Sequence, residues 1–156
     1  MFEYRKLRLS DFSDITEISK NIWGGTDYLP HIFNDWLEAP GLFLGAVDTL
    51  KNKVAAVGKY SIFDDGSGWI EGLRTHVEYR GLKLGRGILE RLMAEALRDL
   101  SEKKISRIAC STYFKNIESI NLLTSIGFSI TEKFVMIRKE VEDISRLKKI
   151  EEFKFE

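Results

Sequence analysis

GLRTHVEYRGLKLGRGILERL, Gly72 to Leu92, opens like a strand, passes through a turn dense in glycine and basic residues, and closes like a helix. The closing part is the most regular segment of the chain. From Gly87 to Leu100, Ile88, Leu89, Leu92, Met93, Ala96, Leu97 and Leu100 recur with a period of 3.6, which predicts a helix with one continuous apolar face. A helix N-terminus presents free N–H groups and the positive end of the helix dipole, so it can receive an anion. Glycines at 81, 85 and 87 let backbone amides approach such a ligand, and Arg80, Lys83 and Arg86 can add charge-assisted bonds. The pattern is neither GxxxxGK[ST] nor GxGxxG, and read alone it also describes an ordinary structural turn.

Outward from this junction the pattern alternates between periods of two and 3.6. Phe2–Leu9 reads as a short strand, and Phe12, Ile15, Ile18 and Ile22 mark a helix running to about Trp23. GGTDYLP interrupts, and Ile32–Leu37 forms a second short helix ended by APG. Leu42–Val47 and Val54–Phe63 predict a hairpin, DDGSG a second turn, and Trp69–Val77 a third strand of that meander. After the long helix come a strand at Ile105–Thr112 and a helix at Ile117–Ile126 that stops at Gly127. A last strand is expected at Ile130–Ile137. The predicted class is mixed α/β, with a mostly antiparallel sheet flanked by helices and one crossover near its end.

The 156 residues suit one domain over 1–156, with 142–156 as a C-terminal extension. Hydrophobic residues make up 44% and charged residues 31%, and 24 basic residues balance 24 acidic ones. That balance argues against nucleic acid as a partner, so a basic site must be local. Cys110 stands alone, and His31 and His76 are far apart, so no metal is expected. No apolar signal core and no run of 18 apolar residues occur, which predicts a cytoplasmic protein with no membrane partner. The segment VEDISRLKKIEEFKFE is amphipathic at Ile144, Leu147 and Ile150, compatible with packing on the domain or with a homodimer contact.

The sequence EGLRTHVEYRG…GRGILERLM resembles the coenzyme motif of the Gcn5-related N-acetyltransferase (GNAT) superfamily, in which a strand leads into Arg-x-x-Gly-x-Gly and a helix. NIESINLLTSIGF, Asn116 to Phe128, resembles that superfamily's second block after the next strand. The resemblance spans about Phe2 to Val141 and implies the GNAT fold. It also implies acetyl-CoA as co-substrate and direct transfer of acetyl to the amine of a small molecule, without a metal. DYLP…WL together with EGLR looks like a subgroup that includes the vertebrate enzyme acetylating free histidine. A small amino acid or related amine is then the implied acceptor, with a protein N-terminus as an alternative.

The same resemblance implies site residues. Backbone of Arg80, Gly81, Leu82, Lys83, Leu84, Gly85, Arg86 and Gly87 would hold the pyrophosphate. Leu73, Arg74 and Thr75 would run beside the pantetheine arm, and Asn116 would reach it. Glu71 is the candidate general base and Tyr113 the candidate acid, with Cys110 weighed beside it. Asp27, Trp23 and Tyr28 would line the acceptor pocket. Two departures stand out: Lys83 replaces the first glycine of the motif, and Leu123 stands where many members carry a proton-donating tyrosine. They leave open a coenzyme-binding regulatory module without turnover.

Overall fold

The computed structural model describes residues 1–134 of the chain. Strand β1 (Phe2–Lys6) is followed by helices α1 (Phe12–Ser19) and α2 (Leu29–Glu38), then by strands β2 (Gly41–Asp48), β3 (Lys53–Ile62) and β4 (Ser67–Thr75). Helix α3 (Leu84–Ser101), strand β5 (Arg107–Ala109) and helix α4 (Ile117–Ser125) complete the described part. The five strands lie in sequence order in one sheet. Pairs β1–β2, β2–β3 and β3–β4 are antiparallel, and β4–β5 is parallel.

Both faces of the sheet are covered, which is why the central strand β3 is buried almost from end to end. On one face α3 lays Leu84, Ile88, Leu89, Leu92 and Ala96 against Leu44, Ala46, Ala56, Tyr60 and Ile70. On the other, Ile15 and Ile18 of α1 and Leu29, Phe33 and Trp36 of α2 pack on Phe43, Val47, Val54 and Val57. The predicted stripe of α3 is the buried one, apart from Leu97, which is exposed. Helix α4 ends as expected: Gly127 adopts φ +101°, its N–H donates to Thr124 O, and the Phe128 N–H donates to Leu123 O.

Three elements differ from expectation. The first helix stops at Ser19, and Ile22–Gly25 is a separate 3-10 turn in which Trp23 and Gly24 take left-handed angles (φ 49° and 68°). Trp23 therefore leaves the helix face. The strand expected over Ile105–Thr112 is only three residues long, paired with β4 over three rungs. Residues 130–134 form no strand, and the rest of that expected strand, like the 142–156 extension, lies outside the described residues.

One irregularity governs the sheet. Val57 pairs with Arg74 and Lys59 with Glu71, so Gly58 alone faces both Gly72 and Leu73. This bulge sits on Gly72 at φ +64°. A Cβ placed there would lie 2.4 Å from the Trp36 ring. A second irregular backbone opens α3, where Lys83 occupies the N-cap position with left-handed angles (φ 59°, ψ 18°).

Two substitutions test these points. Gly72→Ala combines a disfavoured φ with a ring clash and is expected to lower unfolding free energy by about 3 kcal/mol, read by chemical denaturation. Lys83→Gly should raise it by about 0.5–1 kcal/mol, because glycine adopts the left-handed region without the Cβ penalty.

Candidate functional site

The site begins where two neighbouring strands part. Three rungs join β4 to β5: Ser67 with Arg107, Gly68 with Ile108, and Trp69 with Ala109. Strand β4 continues to Thr75, while β5 stops at Ala109. Among the described residues the β4 edge from Ile70 to Thr75 has no strand partner on that side.

Helix α3 starts beside the end of this bare edge, with Gly85 near Thr75 and Leu73. Its first intrahelical bond is donated by Gly87 N–H to Lys83 O at 3.0 Å, and no side chain caps it. The N–H groups of Leu84, Gly85 and Arg86 are thus left for an outside acceptor. The glycines of this stretch divide by purpose. A Cβ on Gly87 would lie 2.2 Å from the Tyr4 hydroxyl, and Gly72 carries Trp36, so both are required by internal packing. A Cβ on Gly81 would meet nothing within 4 Å, and one on Gly85 would touch only Thr75 Oγ1 at 3.4 Å and Leu73 Cδ2 at 4.0 Å. Gly81 is nevertheless set by its own backbone, at φ +79°, so of the four only Gly85 is required by neither packing nor conformation.

The side chains around the turn divide as well. Arg80, Leu82 and Lys83 are exposed and Leu84 is buried. Arg86 bends along its own helix to Glu90, Nε to Oε1 at 2.8 Å. Among the described residues neither Arg80 nor Lys83 has an acidic partner.

The Gly72 bulge sorts the residues of β4 onto two faces. Leu73 packs with the α3 core, and Thr75 lies against the first turn of α3. Glu71 and Arg74, paired with Lys59 and Val57, both face α1 and α2. Arg74 reaches Asp27 with two bonds, Nε to Oδ2 and Nη2 to Oδ1, each 3.1 Å. Asp27 is 3% exposed and also accepts from Ser19 Oγ at 3.0 Å. The Arg74 guanidinium lies over the rings of Trp23 and Tyr28, at 4.8 and 5.5 Å from their centroids.

Asp27, expected to line the acceptor pocket, has its carboxylate held by Arg74 and Ser19. The Arg74 side chain is committed to the α1–α2 segment. Trp23, 61% exposed, stacks on Tyr28 at 6.1 Å, and Tyr28 meets Trp36 edge to face at 6.1 Å. These rings form an aromatic wall beside Glu71. Burial pushes the Tyr28 phenol above its ordinary pKa, and Arg74 opposes the rise.

Farther along, Asn116 caps α4, its Oδ1 accepting from Ser119 N–H at 3.1 Å. Its side-chain amide N–H₂ is the part not used in that cap. Tyr113 is exposed and leans edge to face on Phe114. Cys110 is half-buried with its thiol pKa raised by that burial. Leu123 packs against the α3 core. His76 closes the end of β4, its Nδ1 accepting from Glu78 N–H at 3.2 Å.

Reading the sequence did not single out Lys59, which is fully buried beside Glu71. Its ammonium donates to the carbonyls of Trp36, Ala39 and Pro40 at 3.2, 3.0 and 3.1 Å. A lysine inside the apolar run VAAVGKYSI was the available signal. Among the described residues no cluster of three His, Cys, Asp or Glu side chains is arranged to hold a metal ion. No described helix is long and apolar enough to cross a membrane.

The profile of the Acetyltransferase (GNAT) family matches residues 6–128. A histidine N-acetyltransferase of Oreochromis niloticus is 29% identical over 138 residues, 86% of this chain and 39% of its own length. The chain thus spans about two fifths of that relative. Among solved structures, an acetyltransferase of Trypanosoma brucei superposes with a TM-score of 0.69 at 18% identity, covering 89% of this chain and 100% of its own. AAC(6')-Iy in complex with the bisubstrate analog CoA-S-monomethyl-acetylneamine gives 0.64 at 20% identity, covering 90% and 99%. With the matched profile spanning both the parted strands and the open helix turn, the chain belongs to the Acetyltransferase (GNAT) family.

Proposed function

We propose that this domain transfers an acetyl group from acetyl-CoA to the primary amine of a small amino acid or related amine. The observation that carries the reading is the parting of β4 from β5 directly below the open first turn of α3. A bare strand edge suits an arm that carries amides, and the unpaired N–H groups at the start of α3 suit a diphosphate. CoA has both. The room left at Gly85, which neither internal packing nor a left-handed backbone angle demands, is the fit expected of such a ligand. The histidine N-acetyltransferase of Oreochromis niloticus and the CoA analog complex of AAC(6')-Iy support the substrate classes.

On this reading the main chain of Leu73, Arg74 and Thr75 aligns the pantetheine arm. The amides from Gly81 to Arg86 hold the diphosphate, with Arg80 and Lys83 adding charge from solvent. The Asn116 side-chain amide faces the same arm while its Oδ1 keeps the cap on α4. Acetyl-CoA supplies an activated thioester. The incoming ammonium must lose a proton before its nitrogen can attack, and Glu71 is the carboxylate on the wall where it would lie. The bulge brings Glu71 to the aromatic wall of Trp23 and Tyr28, and Asp27 acts there by fixing Arg74 beneath those rings. The departing thiolate takes its proton from Tyr113 or from solvent, since Leu123 offers none.

The decisive measurement is thiol release from acetyl-CoA with a panel of amino acids, histidine included. Release stimulated by one of them is expected. If acetyl-CoA binds yet no amine, peptide N-terminus or polyamine stimulates release, the domain is a coenzyme-binding module, the reading that Leu123 favours. In the active case Glu71→Gln should lower kcat/KM by about 100-fold and remove its acid limb. An unchanged pH profile rejects Glu71 as the base.

Gly85→Ala probes the other end of the site. The fold has room for this methyl, so unfolding should change little while acetyl-CoA affinity falls about tenfold, read by calorimetry. Unaltered affinity would place the diphosphate elsewhere.

A further inference from the structure

An arginine set between a buried carboxylate and an aromatic wall can do more than hold a turn in place. A guanidinium carries five N–H hydrogens. In Arg74, Asp27 takes two of them, from Nε and Nη2 at 3.1 Å each, and Leu73 O takes one from Nη1 at 3.0 Å. One N–H on Nη1 and one on Nη2 therefore have no acceptor among the described residues. The Asp27 side chain is 0% exposed and that of Arg74 is 12% exposed. One edge of the guanidinium is thus spent inside the fold, and the rest of it reaches the surface. Seating the turn before α2 requires only the inner edge.

The surroundings of the two spare N–H groups point to a ligand. Trp23 and Tyr28 flank the guanidinium with their rings. Trp23 does so at φ 49° while largely exposed, so a bulky residue sits in a costly backbone region that burial does not repay. Strain of that kind gathers where side chains are held for binding rather than for the core. Lys59, the other cation on this face of the sheet, spends its three ammonium hydrogens on the carbonyls of Trp36, Ala39 and Pro40. Arg74 is then the cation of this wall with donors to spare. The bulge at Gly72 also makes Glu71 its neighbour on the same face, although the two are three residues apart in the chain.

We infer that Arg74 determines acceptor specificity: its two spare N–H groups fork onto the carboxylate of an α-amino acid, which turns the adjacent amine toward the Glu71 side of the wall. The inference rests on the reading of the domain as an amine acetyltransferase, and it narrows the acceptors to amines that carry a carboxylate. A planar guanidinium suits the task, because it binds Asp27 along one edge and keeps donors for a second carboxylate along another. A lysine would offset the charge of Asp27 without offering that second edge. The carboxylate takes no part in acetyl transfer, so it serves as a handle in substrate and product alike.

The test compares an amino acid that stimulates thiol release with its decarboxylated amine, histidine and histamine being the first pair, in wild type and in Arg74→Lys. In wild type, loss of the carboxylate should lower kcat/KM about 30-fold, mainly through KM. In Arg74→Lys the two acceptors should differ by less than about threefold, since the fork is gone. An arginine that only seats the turn would lower activity on both alike and leave their ratio where it was. Equal use of both acceptors by wild type, or a ratio preserved in Arg74→Lys, overturns the inference and leaves the acetyltransferase reading standing. No release with any amine overturns both.

Because Arg74→Lys loosens the hold on Asp27, a second measurement keeps the wild-type chain. Titration with histidine should shift the nitrogen-15 resonances of the Arg74 side chain and slow rotation of its guanidinium, whereas histamine should do neither. Signals that respond to neither ligand, or equally to both, refute the anchor even if Arg74→Lys fails to fold.

Discussion

The close approach of the Trp36 ring to the backbone at Gly72 is the contact on which the rest is built. A side chain at 72 would push the ring away. Without it, the strand takes its left-handed step there and gains one residue relative to β3. From that single extra residue follows the division of β4: Leu73 and Thr75 toward α3, Glu71 and Arg74 toward α2. Trp36 is also the last full turn of α2, and its carbonyl is one of the three that receive Lys59. One ring thus sets the strand's phase and the seat of the helix.

Two arginine–aspartate pairs hold the segment between β1 and β2 in place, and they resemble each other. Arg5 grips Asp11 with two bonds of 2.8 Å just before α1, and the same carboxylate accepts from Arg8 N–H. Arg74 grips Asp27 in the same forked manner just before α2. In both, a planar guanidinium matches a carboxylate, which fixes direction as well as distance. The first ties the entry of α1 to its own strand. The second ties the aromatic turn of Trp23 and Tyr28 to β4.

Where the sequence carries a period, it describes the fold well. The stripe of α3, the apolar run of β2 and the stop at Gly127 are each set by residues close in the chain. What escaped depends on partners far away. Trp23 continues the helical spacing of Ile15 and Ile18, yet two glycines follow it and the chain turns left-handed. Asp27 looks like a free acid until Arg74, 47 residues on, is brought against it. The four glycines of the opening junction look alike in sequence. The positions of Trp36 and Tyr4 show that Gly72 and Gly87 are held by packing, the left-handed angle of Gly81 accounts for a third, and Gly85 alone is left over. Lys59 hid in plain view, since a single cation in an apolar run gives no hint of which carbonyls await it.

A sheet normally exposes its unsatisfied amides only at its outer margins, where charge or brevity discourages intruders. Here the ladder ends inside the sheet: from Ile70 to Thr75 the β4 edge facing β5 has no strand partner among the described residues. An extended segment that paired there would continue the sheet with the same kind of main-chain bonds that join its other strands.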